Sequence, residues 1–212
     1  MGFELNDRVM ALNVQLQSFM DKHIYPREHD WHEWCLDQDK LWTTPPWYDE
    51  LRALAKEEGL WNLFLPHEYQ PWSPGLTNVE IAPLFETMSK VSWAQSVFNC
   101  NAPDRGNMEV LAKYGTEAQQ KEWLEPLLAG EIRSAYAMTE PQVASSDATN
   151  MELEIKREGD EYVLNGRKWW TTGAVNPRCK VMLVMGKSNP ENPRHRQPVS
   201  YTHLTLPTNS GV

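Results

Sequence analysis

The run Tyr136-Ala-Met-Thr-Glu-Pro-Gln-Val-Ala-Ser-Ser-Asp147 opens on apolar residues and closes on small hydroxylic ones. A loop of that composition lets backbone N–H groups and hydroxyls approach a polar ligand closely, as phosphate and flavin sites require. Ser145, Ser146, Asp147 and Thr149 are equally the residues that build ordinary turns, and residue types alone leave both readings open. Further on, Trp169-Trp170-Thr171-Thr172 gathers two indoles and two hydroxyls. Packing in a β core explains the two Trp residues as readily, and on a strand adjacent rings are expected on opposite faces. His29-x-x-His32-x-x-Cys35 has a metal-like rhythm but offers only three ligands, and no second Cys/His cluster completes four. Helix packing is the better reading, and no metal is expected. The Trp-rich run Trp31, Trp34, Trp42, Trp47, Trp61 and Trp72 is expected to pack in a core or domain interface rather than stack on bases. Cys179, between Arg178 and Lys180, is expected to be an inert thiol at a strand start.

The elements that carry these residues fall into two kinds. Leu5, Val9, Leu12, Leu16 and Phe19 repeat at helical spacing behind a cap at Asn6 or Asp7, and Pro26 predicts an end to helix at Tyr25. A second helix is predicted to start within Pro46–Asp49 and to stop at Gly59. Thr77-x-x-Glu80 and Thr116-x-x-Gln119 have the spacing of capping boxes. From Ser134 the period changes: Met151–Lys156 alternates like a half-buried strand, and Glu158-Gly159-Asp160 connects it to Tyr162-Val163-Leu164. Asn165-Gly166 predicts a hairpin across which Lys168–Thr172 pairs back, and Lys180–Gly186 is one more strand. The fold class is α+β: an all-α N-terminal helical domain over residues 1–132, then an incomplete antiparallel β-barrel or sandwich domain over 133–198. Residues 199–212 contain no Asp, Glu, Lys or Arg, do not continue the alternation before them, and are expected to be a tail of foreign sequence rather than part of the second domain.

Length and composition limit the function classes. The 212 residues carry a net charge of -9, which disfavours nucleic-acid and anionic-membrane partners. Residues 1–132 hold 21 acidic against 10 basic side chains, whereas 133–212 hold 8 against 10, so the second part repels an anionic ligand less. No apolar run approaches the ~18 residues of a membrane span, and no basic-then-apolar opening suggests a secretory signal. Three Cys far apart do not make a disulfide framework, so a reducing, cytoplasmic compartment is expected.

Tyr-x-Met-Thr-Glu-Pro, a small-residue loop ending Ser-Asp, the segment Gly159–Gly166, and Lys168-x-Trp170 together resemble the acyl-CoA dehydrogenase family. Tyr114-Gly-Thr-Glu-Ala-Gln119 and Trp123-Leu-x-Pro-Leu-Leu-x-Gly-Glu131 resemble the family's approach to that motif, and the likeness runs from about residue 3 to about 197. Val143-Ala-Ser-Ser-Asp-Ala-Thr and Trp169-Trp-Thr-Thr-Gly-Ala are most similar to the branch whose larger members carry an aminoglycoside-phosphotransferase-like kinase domain.

The resemblance implies a truncated acyl-CoA dehydrogenase fold and FAD as cofactor, with α,β-desaturation of an acyl-CoA thioester in fatty acid metabolism. It implies that Tyr136, Met138 and Thr139 line the flavin, that Trp170 packs on it, and that Thr172 or its rival Thr171 donates to it. Ser145 and Ser146 match the loop end used for the flavin diphosphate and the acyl-CoA, with Ser146 the expected substrate contact. An electron-transfer flavoprotein and a homo-oligomer are the implied partners of the complete enzyme. The catalytic base is expected in a C-terminal bundle beyond this chain, so no catalytic residue is assigned and the chain alone is expected to be inactive. A non-catalytic flavin-binding module, and an acyl-CoA oxidase or flavin monooxygenase, are the alternatives.

Overall fold

The computed structural model describes residues 5–202. Its contacts gather into two compact units that join in sequence between Leu124 and Glu125.

The first unit is helical. α1 (Asp7–Phe19) starts where Asn6 Oδ1 accepts the Val9 N–H at 2.9 Å, and it buries Val9, Leu16 and Phe19. The chain does not leave the helix at Pro26 as expected. The ladder widens to a π turn over Met20–Ile24, with Tyr25 N–H donating to Met20 O, then tightens to a 3₁₀ turn over Tyr25–Arg27 before α2 (Glu28–Leu36). Pro26 thus sits where the hydrogen-bond register is already changing, so its missing N–H and crowding ring disrupt least. α3 (Trp47–Glu57) follows Pro46 and gives way to Gly59 at φ +71°. α4 (Asn78–Met88) opens on the capping box of Thr77 and Glu80. α5 (Ala94–Val97) and α6 (Asp104–Tyr114) come next, then α7 (Glu117–Gln119) with the box of Thr116 and Gln119.

Phe19 meets Phe98 edge-on at 5.2 Å, among buried Ile24, Leu60, Phe64, Leu84 and Met88. The Trp-rich run is not core in the strict sense. Trp31, Trp34, Trp47, Trp61 and Trp72 are half-buried and Trp42 is exposed. Indoles are large enough that complete burial is uncommon; of the run, Trp31 meets Trp47 at 6.4 Å, and Trp31 also stacks on Trp93 at 5.0 Å.

In the second unit α8 (Glu125–Ala129) precedes β1 (Arg133–Ala137). β2 (Glu154–Glu158) and β3 (Glu161–Asn165) pair antiparallel across Gly159 and Asp160, with Gly159 at φ +65°. β4 (Cys179–Lys187) lies parallel to β1, with Ser134 opposite Val181 and Ala137 opposite Val184, and it meets β2 where Glu154 faces Lys187. β5 (Pro198–Thr202) runs antiparallel to β4. The α+β expectation holds, with helices first and then an open, curled half-barrel. Its β1–β4 pairing is parallel, a long-range choice that local alternation does not encode. The tail expected from Val199 begins inside β5, and residues 203–212 lie outside the described ones. Ala135, Ala137, Leu153, Ile155, Met182 and Val184 form the core of this unit, with Leu164, Ala174 and Cys179 packed against it.

Candidate functional site

β1 turns Ala135 and Ala137 into the core, so the period of two puts the half-buried Tyr136 on the other face. Met138 and Thr139 follow directly. The segment expected to pair back onto β3 comes to Met138 and Thr139 instead. Lys168–Thr172 forms no strand, and Trp170 adopts φ +52°. Two bonds draw it across: Trp169 N–H donates to Thr139 O at 3.1 Å, and Lys168 Nζ donates to Met138 O at 2.8 Å. Asn165-Gly166 is therefore no hairpin turn. A Cβ at Gly166 would stand 2.7 Å from Leu153 Cα, so glycine is what lets the chain cross there. The left-handed backbone of Trp170 ends the alternation expected of a strand. The rings of Trp169 and Trp170 consequently meet at 5.7 Å rather than lying on opposite faces.

A buried ion pair fixes this crossing. Lys168 Nζ lies 2.8 Å from Glu140 Oε1, with the two side chains 9% and 2% exposed. The Glu140 carboxylate also accepts the N–H groups of Glu152 at 2.6 Å and Leu153 at 3.0 Å. Burial alone would raise the Glu140 pKa. The Lys168 ammonium and the two backbone donors outweigh it and hold the carboxyl below the usual range. Glu140 N–H in turn donates to Ser145 Oγ at 2.9 Å, which closes the loop on itself.

The expected site residues take distinct positions. Met138 and Thr139 are joined to the Lys168–Trp169 stretch by the bonds just given. Thr139, Ser146, Trp170 and Thr172 are exposed, Trp170 to 79%. The hydroxyls of Thr139, Ser146, Thr171 and Thr172 make no hydrogen bond among the described residues. Thr171 is half-buried and lines a cleft of about 540 Å³ with Ala137, Leu164, Trp169 and Val175. Ser145 is buried, and its oxygen is engaged by Glu140 N–H. Asp147 Oδ1 accepts both the Oγ1–H and N–H of Thr149, bonds that lower its pKa and make it a turn cap. Sequence reasoning missed Lys168 as a partner of Glu140. The available signal was a basic residue in one candidate segment and an acidic one in the other.

Unspent hydroxyl hydrogens near an open indole, on backbone held by an ion pair, suit a planar aromatic group with acceptors along its edge. Among the described residues no cluster of three His, Cys, Asp or Glu could hold a metal ion, and no helix is long and apolar enough to cross a membrane.

The family model described as acyl-CoA dehydrogenase, N-terminal domain, matches residues 7–131, and that described as acyl-CoA dehydrogenase, middle domain, matches residues 135–210. Acyl-CoA dehydrogenase family member 10 of Mus musculus is 51% identical over 196 residues, covering 91% of this chain and 18% of its own length. Acyl-CoA dehydrogenase family member 11 of Gallus gallus is 50% identical over 188 residues, covering 87% of this chain and 24% of its own. A solved structure assigned to the acyl-CoA dehydrogenases, from Mycobacterium abscessus, superposes with a TM-score of 0.87 at 46% identity, over 94% of this chain and 50% of that one. The chain thus spans a quarter or less of these two curated relatives and half of the solved structure.

Proposed function

The chain belongs to the acyl-CoA dehydrogenase family, a family of flavoprotein oxidoreductases, and on that premise we propose that its second unit holds the ring of an FAD. The reaction it would serve is removal of an α-proton and a β-hydride from an acyl-CoA thioester, with FAD, when bound, supplying the two-electron acceptor. The observation that carries this reading is the meeting of the Met138–Glu140 and Lys168–Trp169 segments, beside which Thr139 and Trp170 remain exposed.

In this reading the Thr139 hydroxyl donates to the polar edge of the ring, Tyr136 and Met138 flank it, and the Trp170 indole packs on its face. Thr172 is preferred over Thr171 as the second donor, because Thr172 is exposed whereas Thr171 turns into the cleft beside Ala137. Fixed donors stabilise the negative charge a ring gains on accepting hydride. Ser146 contacts the acyl-CoA, while Ser145 shapes the loop that presents it. Glu140 is not the base, since Lys168 and two backbone N–H groups occupy its carboxylate. Proton abstraction needs a carboxylate from outside the residues assigned here, and the 212-residue chain by itself does not turn over substrate. An electron-transfer flavoprotein, self-association and a cytoplasmic setting complete the proposal, the last in keeping with three free cysteines.

FAD is titrated into the purified chain and followed by flavin fluorescence and the visible band; saturable quenching with a shifted band is expected. An acyl-CoA then added without oxygen should leave that band unbleached. No FAD binding refutes the flavin reading, and bleaching refutes the inactivity of the chain.

A further inference from the structure

We propose that Lys168 and Glu140 are positioning residues of the flavin site, a buried clamp that holds the Trp169–Trp170 stretch against Met138 and Thr139. The inference rests on the flavin reading above and says how this chain builds that site.

The clamp has three arms. Lys168 Nζ reaches both the Glu140 carboxylate and the Met138 carbonyl at 2.8 Å, so one ammonium ties the two segments together. The carboxylate is itself anchored to the backbone of Glu152 and Leu153, at the start of the β2–β3 hairpin. Beside the ammonium, Trp169 N–H closes on Thr139 O at 3.1 Å. The next residue, Trp170, has φ +52°, a conformation that bulky side chains avoid unless their surroundings impose it. Trp170 as a residue is 79% exposed and its ring contact is with its neighbour Trp169, so little burial holds it there and the constraint comes through the backbone. Neither clamp side chain opens to solvent, at 9% and 2% exposure, so both act through the groups they tie.

A buried ion pair is weak support for stability as such, since an apolar pair of similar volume is often as stable. What an apolar pair cannot reproduce is the directed bond to Met138 O. That difference separates positioning from bulk stabilisation.

The experiment compares the wild-type chain, Lys168→Met, Lys168→Arg, and the double variant Glu140→Gln with Lys168→Met, which leaves no unpaired buried charge. Two readouts are taken: FAD affinity with the visible band shape, and hydrogen exchange of the Trp169 amide against the β4 amides. The expected result is a folded double variant with unchanged β4 protection, Trp169 exchange faster by about tenfold or more, and FAD binding weaker by about 10- to 100-fold with an altered band. Lys168→Arg should recover part of both. Wild-type-like exchange and affinity in the double variant overturn the proposal. So does a double variant that fails to fold, because the pair would then support the whole unit. If the wild type binds no FAD, the flavin reading falls while Trp169 exchange still judges the clamp.

Discussion

Replacing Glu140 by alanine removes one carboxylate and strands three donors. The Lys168 ammonium, 9% exposed, keeps only the Met138 carbonyl. Breaking a buried pair from one side costs about 3–5 kcal/mol. The N–H groups of Glu152 and Leu153 also lose their acceptor, at about 1–3 kcal/mol for each that stays dry. Water entering the vacated space offsets part of this, leaving a net loss of roughly 4–6 kcal/mol. A domain has only about 5–15 kcal/mol to lose, so the second unit should approach unfolding. Urea unfolding read through exchange of the β4 amides measures it. A loss below about 1 kcal/mol would refute the reasoning. Acid tests the same bond. The folded pKa of Glu140 lies below its unfolded value, so its stabilisation is complete above the unfolded pKa and drains away as pH falls through the folded one. Glu140→Gln should therefore be less stable than wild type at neutral pH, with the gap closing in acid. A gap constant with pH would sink the electrostatic part of the account.

Gly166→Ala should destabilise the second unit by about 2 kcal/mol or more, because the new Cβ would stand 2.7 Å from the Leu153 backbone; a melting temperature equal to wild type would contradict it. Trp170→Gly should leave stability unchanged or raise it by up to about 1 kcal/mol by relieving the left-handed backbone, yet weaken FAD by about tenfold. Parallel unfolding and FAD titrations separate these effects, and a parallel fall in both would argue against local strain. Burial pushes the Cys100 thiol up to about 12, so at pH 8 a thiol reagent should modify exposed Cys35 and spare Cys100 until urea is added. Rapid labelling of Cys100 in the native chain, read by peptide mass, would contradict that burial.

Much of the helical unit could be read from the sequence because its signals are local. Asn6, Thr77 with Glu80, and Thr116 with Gln119 each satisfy N–H groups three residues away, and the caps stand where their spacing put them. The Gly159–Asp160 turn was legible for the same reason. Pro26 misled because the penalty on proline assumes an unbroken α ladder, and the π turn ahead of it changes that ladder. Lys168–Thr172 misled more seriously. Asn165-Gly166 is a strong local turn signal, but it was outweighed by bonds to distant residues, with Lys168 Nζ meeting Met138 and Glu140, 30 and 28 positions earlier. The pairing of Glu140 with Lys168 was not legible, because nothing local in either segment brings the two together. Which hydroxyls stay free of internal partners depended on that same crossing, so sequence could nominate Thr139, Ser146 and Thr172 without arranging them.

The central strand of the half-barrel is also a late one. β4 receives β1, β2 and β5, yet it follows every residue assigned to the flavin. During synthesis Thr139 and Trp170 therefore leave the ribosome before the strand that organises the neighbouring sheet exists. Pairings between distant segments form slowly. The proposed flavin pocket would come into being only as this open sheet assembles, which would make FAD binding an indicator of the whole unit's folding.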